Sequence, residues 1–273
     1  MQNDVTSPQK RVECPHCHRE LPRGKDAGRC PLCHASLPIE EEGRPDTIDV
    51  NNKKVAARSS EAYSQNYQKD QAAATYNVKY RACWTKRMTT RREHSLLDKL
   101  LRSQGRSKVL LDLPCGGGRL SSPMAPHTDL LIEADVALGQ LRYLREHGRV
   151  STEQAWMLAS GFQIPLCDAS VDGTVCVRLT HHLPKEAERQ RLVRELLRVS
   201  KRFVIVTFFD YHSVKNTLRR LSRPFNRKSP KSTMRVEELR RLAEECGARL
   251  VEYPALSLMW SGHRYALMVK DKA

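Results

Sequence analysis

The sequence is a basic chain of 273 residues, long enough for one large domain or two. It holds 47 Lys and Arg against 31 Asp and Glu, a formal net charge of +16, so polyanions are the first partners to consider. The same charge is compatible with a solvated basic surface that has no charged partner. No apolar run is long enough to cross a bilayer, and the polar N-terminus lacks the apolar core of a signal peptide, so we expect a cytoplasmic protein.

The first distinctive pattern is a pair of Cys-x-x-Cys turns, Cys14 with Cys17 and Cys30 with Cys33, separated by 12 residues. Together they supply the four tetrahedral thiolate ligands that a structural Zn²⁺ requires. The other cysteines are scattered singly, which favours reduced thiols over a disulfide framework. We therefore predict a zinc ribbon over residues 1–39, whose metal folds the module and leaves no open position for catalysis. A redox site or an unoccupied site is the alternative, and His16, His18 or His34 could replace a cysteine ligand.

A polar stretch separates this module from the rest of the chain. Residues 40–60 are acidic at first and then basic, with few large apolar side chains, which predicts a linker. The remainder, residues 61–273, predicts one larger domain that begins with helices over residues 61–101, because aromatic residues recur at helical spacing. These aromatic residues are Tyr63, Tyr67, Tyr76, Tyr80 and Trp84. They predict either a core-facing stripe or a surface on which bases stack.

The end of this helical region is strongly basic. Ten Lys or Arg residues lie from Lys79 to Lys108, where only Glu93 and Asp98 are acidic. A phosphate backbone would suit segment 79–108.

Near the middle of the chain a buried strand ends abruptly at three glycines. Val109–Leu113 is short, apolar and followed at once by chain breakers, which predicts a parallel strand. Gly116, Gly117 and Gly118 permit a turn with positive φ that lies close to a ligand. A helix can begin at Arg119 with its free N–H groups toward that ligand, although a glycine cluster alone is also compatible with an ordinary loop.

A second apolar run, Asp129–Asp135, ends in an acid 19 residues after Gly116. In nucleotide-binding α/β folds the second strand delivers a carboxylate to a ribose at about this distance. The two strand ends therefore predict one nucleoside site, with Asp135 at the ribose.

Three segments together resemble class I S-adenosylmethionine-dependent methyltransferases. Leu111–Leu120 is similar to their first motif, D-x-G-C-G-x-G, although Pro114 stands at the usual first glycine. Asp135–Leu141 resembles the second motif, D-x-S-x-x-x-L, and Phe162–Asp172 resembles the L-P-F-x-D-x-S-F-D stretch that enters the fourth strand. The resemblance covers residues 76–270 and implies a Rossmann-like seven-stranded α/β sheet with helices on both faces, which would follow the small zinc ribbon. It says almost nothing about the substrate.

The resemblance also implies where S-adenosylmethionine would bind. Asp112 would orient the glycine turn or meet the methionine amino group. Ser160 stands where many relatives have the acid that binds the adenine amino group, and the backbone of Gly161 and Phe162 is the alternative contact. The expected cofactor contacts are Asp112, Pro114, Cys115, Gly116, Gly117, Gly118, Asp135, Val136, Ser160, Gly161, Phe162 and Arg178.

The fourth strand is predicted at Asp172–Arg178, and two histidines follow it. In class I methyltransferases the end of this strand faces the methyl group, so the resemblance makes His181 and His182 candidate acceptor contacts or general bases, with pocket lining as the alternative. The strand end lacks the Asn/Asp-Pro-Pro-Tyr/Phe motif of enzymes that methylate exocyclic base amines. It also lacks the Pro-Cys pair of C5-pyrimidine enzymes, and Cys176 is expected to be a buried thiol. Transfer to oxygen, ring nitrogen or carbon stays open.

The rest of the chain predicts the second half of the sheet. A helix at Glu186–Ser200 precedes a fifth strand at Phe203–Phe209. A helix at Val236–Gly247 with glycine at its end precedes an antiparallel pair, Arg249–Tyr253 and Arg264–Val269.

An insertion over residues 211–235 contains eight Lys or Arg and no acid. Insertions at this point commonly lie over the substrate side of the methyltransferase fold, so nucleic acid is one predicted partner. Leu218, Leu221 and Phe225 make the segment mildly amphipathic, so anionic lipid is a second. A solvated segment without a charged partner is the third interpretation.

Together these features predict a zinc ribbon followed by a class I methyltransferase, with S-adenosylmethionine and structural Zn²⁺ as cofactors. Our hypothesis is that the substrate is structured RNA, rRNA or tRNA, because a zinc ribbon, a charge of +16 and the basic segments 79–108 and 211–235 coincide. In layout the chain resembles rRNA guanine methyltransferases that place a Cys-rich zinc module before this fold. The alternatives are a methyltransferase for a small molecule or lipid, and a non-catalytic adaptor suggested by Ser160 and Pro114.

Overall fold

The computed structural model describes residues 84–221, 232–257 and 261–271. The predicted zinc ribbon with its four cysteines, the predicted linker and the aromatic residues before Trp84 lie outside the described residues. Part of the basic insertion, residues 222–231, lies outside them as well. Within the described ranges no helix is long and apolar enough to span a bilayer.

A seven-stranded sheet organises the described chain, as the sequence predicted. Its strands are β1 (Ser107–Asp112), β2 (Thr128–Asp135), β3 (Glu153–Leu158), β4 (Val171–Cys176), β5 (Ser200–Phe209), β6 (Ala248–Glu252) and β7 (His263–Lys270). The spatial order is β3-β2-β1-β4-β5-β7-β6. The first five strands pair in parallel, and β7 runs antiparallel to both β5 and β6.

The helices cover both faces of the sheet. They are α1 (Trp84–Gln104), α2 (Ser121–Met124), α3 (Leu138–His147), α4 (Glu186–Val199), α5 (Val214–Leu221) and α6 (Val236–Glu245), with 3₁₀ turns at Ala125–His127 and Thr180–His182. Successive strand residues alternate between two apolar clusters: Leu111 belongs to the cluster under α4 and α6, whereas Leu110 belongs to the one under α1. This alternation follows from the two-residue period of a strand and explains why both faces are apolar.

Strand β1 fixes the position of the site. It lies between β2 and β4, so the chain winds away from it in one direction through β2 and in the other through β4. At such a switch point the loops after the neighbouring strands separate, and a crevice opens outside their carboxyl ends. The glycine turn follows β1 at this point.

The helix expected from Arg119 is much shorter than the sequence suggested. The turn continues through Leu120, and α2 comprises only Ser121–Met124 before a 3₁₀ turn that contains Pro126. Proline lacks the N–H group that would continue the helix, so the chain enters β2 at once. The helical region predicted over residues 61–101 is described only from Trp84, where α1 extends to Gln104. The strands and helices predicted from Asp172 onward agree with the observed bounds to within a few residues.

The packing of β4 against β5 yields a prediction about stability. A Cβ atom added at Gly173 would lie 2.4 Å from the ring of Phe203. We expect Gly173→Ala to lower the free energy of unfolding by about 1–3 kcal/mol, the usual cost of overpacking, measured by urea denaturation. Adding Phe203→Leu should recover part of the loss. An unchanged unfolding midpoint in the single variant would contradict this contact.

Candidate cofactor and acceptor site

The glycine turn is held tightly at the carboxyl end of β1. Gly116 and Gly118 both have positive φ, +54° and +75°, which favours glycine at each position. A Cβ atom at Gly118 would lie 2.2 Å from Leu144 Cδ1 of α3. The N–H of Cys115 donates to Ala134 O at 2.9 Å, which fastens the turn to β2. The turn is therefore packed against α3 at Gly118, whereas the space beside Gly116 is open, with no atom within 4 Å of an added Cβ.

Asp135 lies at this turn, where the sequence placed it. Its Oδ2 accepts the N–H of Gly116 and its Oδ1 accepts the N–H of Ala137, both at 2.9 Å. Burial raises the pKa of Asp135, and these backbone donors act in the opposite direction. Asp135 is thus the residue that orients the glycine turn.

Asp112 is buried without a protein partner. Its side chain is 1% exposed, and neither carboxylate oxygen has a hydrogen-bond partner among the described residues. Burial, followed by the charges of Glu133 and Asp135, raises the pKa of Asp112 well above its ordinary value. Of the two predicted roles, orienting the glycine turn through a hydrogen bond is not observed. A buried, unpaired carboxylate instead suits a cationic ligand such as an ammonium group.

The predicted adenine contacts form a turn after β3. Ser160 Oγ accepts the N–H of Phe162 at 3.3 Å, and Gln163 N donates to Ser160 O at 3.1 Å. Gly161 is packed so closely that an added Cβ would lie 2.6 Å from Leu192 Cδ1. The hydroxyl of Ser160 therefore already accepts one hydrogen bond within its own turn.

The other predicted cofactor contacts lie at the same edge. The peptide bond between Leu113 and Pro114 is cis. Cys115 is buried, and burial raises the pKa of its thiol. Val136 follows Asp135 directly and is half-buried. Cys176 is buried at the end of β4, as predicted, and its thiol has a pKa raised by burial.

The two predicted histidines belong to a cluster of rings beyond β4. His181 and His182 lie on the 3₁₀ turn, with ring centroids 4.1 Å apart. The His181 ring is 4.7 Å from that of Phe209, at the end of β5, and 5.1 Å from that of His263, at the start of β7. Phe209 and His263 are register partners, 4.2 Å apart. We refer to these four rings as the acceptor edge.

His263 is the most buried member of the acceptor edge. It is 7% exposed, and its Nδ1 has no hydrogen-bond partner among the described residues. Burial, followed by the charges of Arg178 and Arg119, lowers the pKa of His263 to about 3. The imidazole is therefore neutral at physiological pH, with a nitrogen able to accept or donate one hydrogen bond. Sequence reasoning missed it because no motif surrounds it.

A buried carboxylate on α1 was also missed. Glu93 binds the guanidinium groups of Arg119, which closes the glycine turn, and Arg178, which follows β4. Arg178 was predicted to contact the cofactor, and its observed partner is Glu93, with Arg178 Nη2 at 2.8 Å from Glu93 Oε1. The sequence signal that could have singled out Glu93 is its negative charge within the basic segment 79–108.

Comparison with known proteins identifies the central part of the chain. Residues 111–207 match the Methyltransferase domain family. A curated protein of Encephalitozoon cuniculi (strain GB-M1), named "Putative methyltransferase", is 29% identical over 118 residues, which are 43% of this chain and 52% of that protein. The chain thus spans about half the length of this curated relative.

Solved structures share the fold. Magnesium protoporphyrin IX methyltransferase from Synechocystis PCC 6803 with bound SAH has a TM-score of 0.59 at 14% identity, covering 70% of this chain and 89% of that one. The N-methyltransferase NodS from Bradyrhizobium japonicum WM9, in complex with S-adenosyl-L-homocysteine, has a TM-score of 0.53 at 16% identity, covering 67% and 87%. These structures show the fold that the described residues share, and the family match covers its central part. The open space beside Gly116 and the unpaired carboxylate of Asp112 fit S-adenosylmethionine, the cofactor that the sequence motifs imply.

The unpaired state of Asp112 yields a prediction about binding and stability. We expect Asp112→Asn to weaken S-adenosylmethionine binding about tenfold or more, because a charged hydrogen-bond partner is lost, measured by calorimetry. The same variant should be more stable than the wild type at neutral pH, since a raised pKa means that the folded chain is penalised once the carboxyl ionises. This gain should vanish below about pH 4, where Asp is protonated in both states.

Asp172→Asn is the matched control. Asp172 Oδ2 accepts the N–H groups of Lys108, at 2.5 Å, and Val109, at 3.1 Å, at the amino end of β1. This variant should lose stability and keep its cofactor affinity. Equal cofactor affinities for Asp112→Asn and the wild type would rule out the assigned role of Asp112.

Proposed function

We propose that the chain is an S-adenosylmethionine-dependent methyltransferase that acts on structured RNA. The observation that carries this proposal is the composition of the acceptor edge, where four rings lie beside arginine side chains. Rings of this kind stack on nucleobases, and guanidinium groups bind phosphates. The edge lies after β4 and β5, on the side of the sheet where the glycine turn also lies.

The basic charge continues from the acceptor edge onto α5. The guanidinium carbon of Arg219 lies 5.9 Å from the centre of the Phe209 ring. Arg220 and Arg235 lie 3.9 Å and 4.8 Å from the centre of the Tyr211 ring. Neither Arg220 nor Arg235 forms an ion pair with a carboxylate in the described ranges. Two guanidinium groups held by one tyrosine are suited to a phosphate of the acceptor.

The residues around the site have separable roles in this mechanism. When bound, the cofactor supplies a methyl group already activated by a positively charged sulfur. Asp112 would hold the ammonium group of its methionine part, and Gly116–Gly118 would allow close approach of the backbone. The neutral imidazole of His263 can orient a polar atom of the acceptor. His181 and His182 are candidates to remove a proton from the acceptor, because imidazole accepts protons near neutral pH.

A second candidate, a methyltransferase for a small molecule or lipid, has support from α5. Its inward face carries Asn216, which is 2% exposed and donates to Asp210 O at 2.8 Å. Its opposite face carries Val214, Leu218 and Leu221, at least half exposed among the described residues. An apolar stripe on an outward helix face suits an amphiphilic acceptor. Magnesium protoporphyrin IX methyltransferase, which shares the fold, is named for a small-molecule substrate.

Methyl transfer to RNA is tested with tritiated S-adenosylmethionine. We expect the wild type to label total RNA from a strain that lacks the gene and to leave a lipid extract unlabelled. His263→Gln should reduce labelling about tenfold while cofactor affinity stays unchanged, because His263 lies at the acceptor edge. Label in the lipid extract alone would contradict RNA as the substrate and favour the second candidate, a methyltransferase for a small molecule or lipid. Absence of cofactor binding would leave the non-catalytic adaptor.

The paired arginines yield a separate prediction. Arg235→Gln should weaken binding to tRNA or rRNA and reduce the slope of log K against log[salt] by about 1, because one phosphate contact is lost. Arg249→Gln is the matched control. Arg249 lies on β6, away from the acceptor edge, and is paired with Asp271, which follows β7. Equal slopes for the two variants would contradict a phosphate contact at Arg235.

Zinc at Cys14, Cys17, Cys30 and Cys33 also stays a proposal. The spacing of the cysteines supports it. We expect about one zinc per full chain by elemental analysis, and loss of that zinc in Cys17→Ser. Full zinc content in the variant would exclude Cys17 as a ligand.

A further inference from the structure

Glu93 is the most deeply buried carboxylate of α1 and faces two arginines. Its side chain is 1% exposed. Oε2 binds Arg119 Nη1, while Oε1 accepts from Arg178 Nε at 2.9 Å and lies 2.8 Å from Arg178 Nη2. Next to it, His94 Nε2 lies within hydrogen-bond distance, 2.8 Å, of Arg119 O. The end of the glycine turn is thus fastened to α1 by a side chain and by its backbone.

The two arginines belong to different halves of the site. Arg119 closes the glycine turn, and Arg178 stands between β4 and the two histidines of the acceptor edge. Arg178 has φ +64°, a left-handed conformation that non-glycine residues rarely adopt. Its N–H donates to Thr207 Oγ1 of β5 at 2.7 Å. A residue held in this way points to a functional constraint at that position.

Electrostatics explains why the carboxylate matters at both ends. Two guanidinium groups held close together repel each other, and Glu93 supplies the negative charge between them. Without it, both would remain in a poorly solvated place, since Arg119 and Arg178 are only about a quarter exposed, 24% and 27%. Removing one partner of a buried ion pair leaves such charges uncompensated. The glycine turn and the segment after β4 would then move together.

Anchoring of α1 alone does not require this carboxylate. Leu97, Leu100 and Leu101 are fully buried on the same helix and belong to the apolar cluster that contains Leu110 and Met124. These contacts hold the helix on the sheet through ordinary apolar burial. Glu93 lies about one turn before Leu97 on the same helix and contacts the two arginines, so it has a role other than this apolar packing.

We propose that Glu93 is a positioning residue that couples the cofactor turn to the acceptor edge. Through Arg119 it sets the conformation of residues 115–120, and through Arg178 it sets that of residues 178–183. Occupation of the turn by cofactor is then transmitted to the acceptor edge through one shared carboxylate. The effect of cofactor on the acceptor edge rests on the proposed function. The link through Glu93 does not, because its two ion pairs form in the ligand-free chain.

Hydrogen exchange on the ligand-free full chain is the first test. Glu93→Gln should speed amide exchange in residues 115–120 and in residues 178–183 together. Arg178→Gln should also speed exchange in residues 115–120, although Arg178 follows a different strand. An effect of Arg178→Gln that is confined to residues 178–183 would overturn the coupling, and this result does not depend on cofactor binding.

The matched control is a second carboxylate bound to an arginine. Glu195 Oε1 accepts from Arg198 Nη2 and from the N–H of Ile164, both at 2.7 Å, on the loop that leads to β4. Glu195→Gln should lower the melting temperature and leave exchange in both segments as in the wild type. A similar exchange pattern for Glu195→Gln and Glu93→Gln would show that general loss of stability explains the effect, and would sink the proposal.

Binding of S-adenosylhomocysteine, measured by calorimetry and by exchange, is the second test. In the wild type it should protect both segments, and in Glu93→Gln it should bind about tenfold more weakly and protect residues 115–120 only. Unchanged affinity with protection of both segments in the variant would overturn the inference. Failure of the wild type to bind would instead count against the proposed function.

Discussion

The site depends on three carboxylates that the fold buries where β1 and β2 end. Glu133 receives hydrogen bonds from Ser121 and Gln154, and Asp135 receives them from backbone amides. Asp112 receives none among the described residues, and the charges of its two neighbours add to its desolvation. An unpaired buried charge is costly, so Asp112, beside the glycine turn, is the carboxylate that a cationic ligand would stabilise most. The rest of the sheet serves to hold that point in place.

The acceptor edge lies beside positive charge. Arg119 of the glycine turn and Arg178 after β4 share one carboxylate, and burial followed by the charges of these two arginines disfavours the protonated form of His263. In the proposed function, the ammonium group of the cofactor's methionine part would meet Asp112, and the two arginines would lie on the other side of the glycine turn. An acceptor with a planar ring and an anionic group finds rings and guanidinium groups in the same region, which is the basis for favouring RNA.

Much of the fold and part of the site could be predicted from the sequence, for a physical reason. Strand β1, the glycine turn and Asp135 are specified by residues close together in the chain, where period, breakers and spacing carry the information. Glu93 and His263 could not be found in this way, because their partners lie far away: 85 residues separate Arg178 from Glu93. The short length of α2 was not predicted from the sequence. The turn continues through Leu120, which leaves only four helical residues before the 3₁₀ turn that contains Pro126.

Glu93 lies on α1, before the first residue of the family match. The family match begins at residue 111, so a boundary drawn from it would exclude the whole of α1. A fragment beginning there would keep the three methyltransferase-like motifs, but it would lose the first four residues of β1, expose Met124 and leave both arginines without their shared carboxylate. The contacts of α1 therefore extend the structural unit that carries the site beyond the residues of the family match.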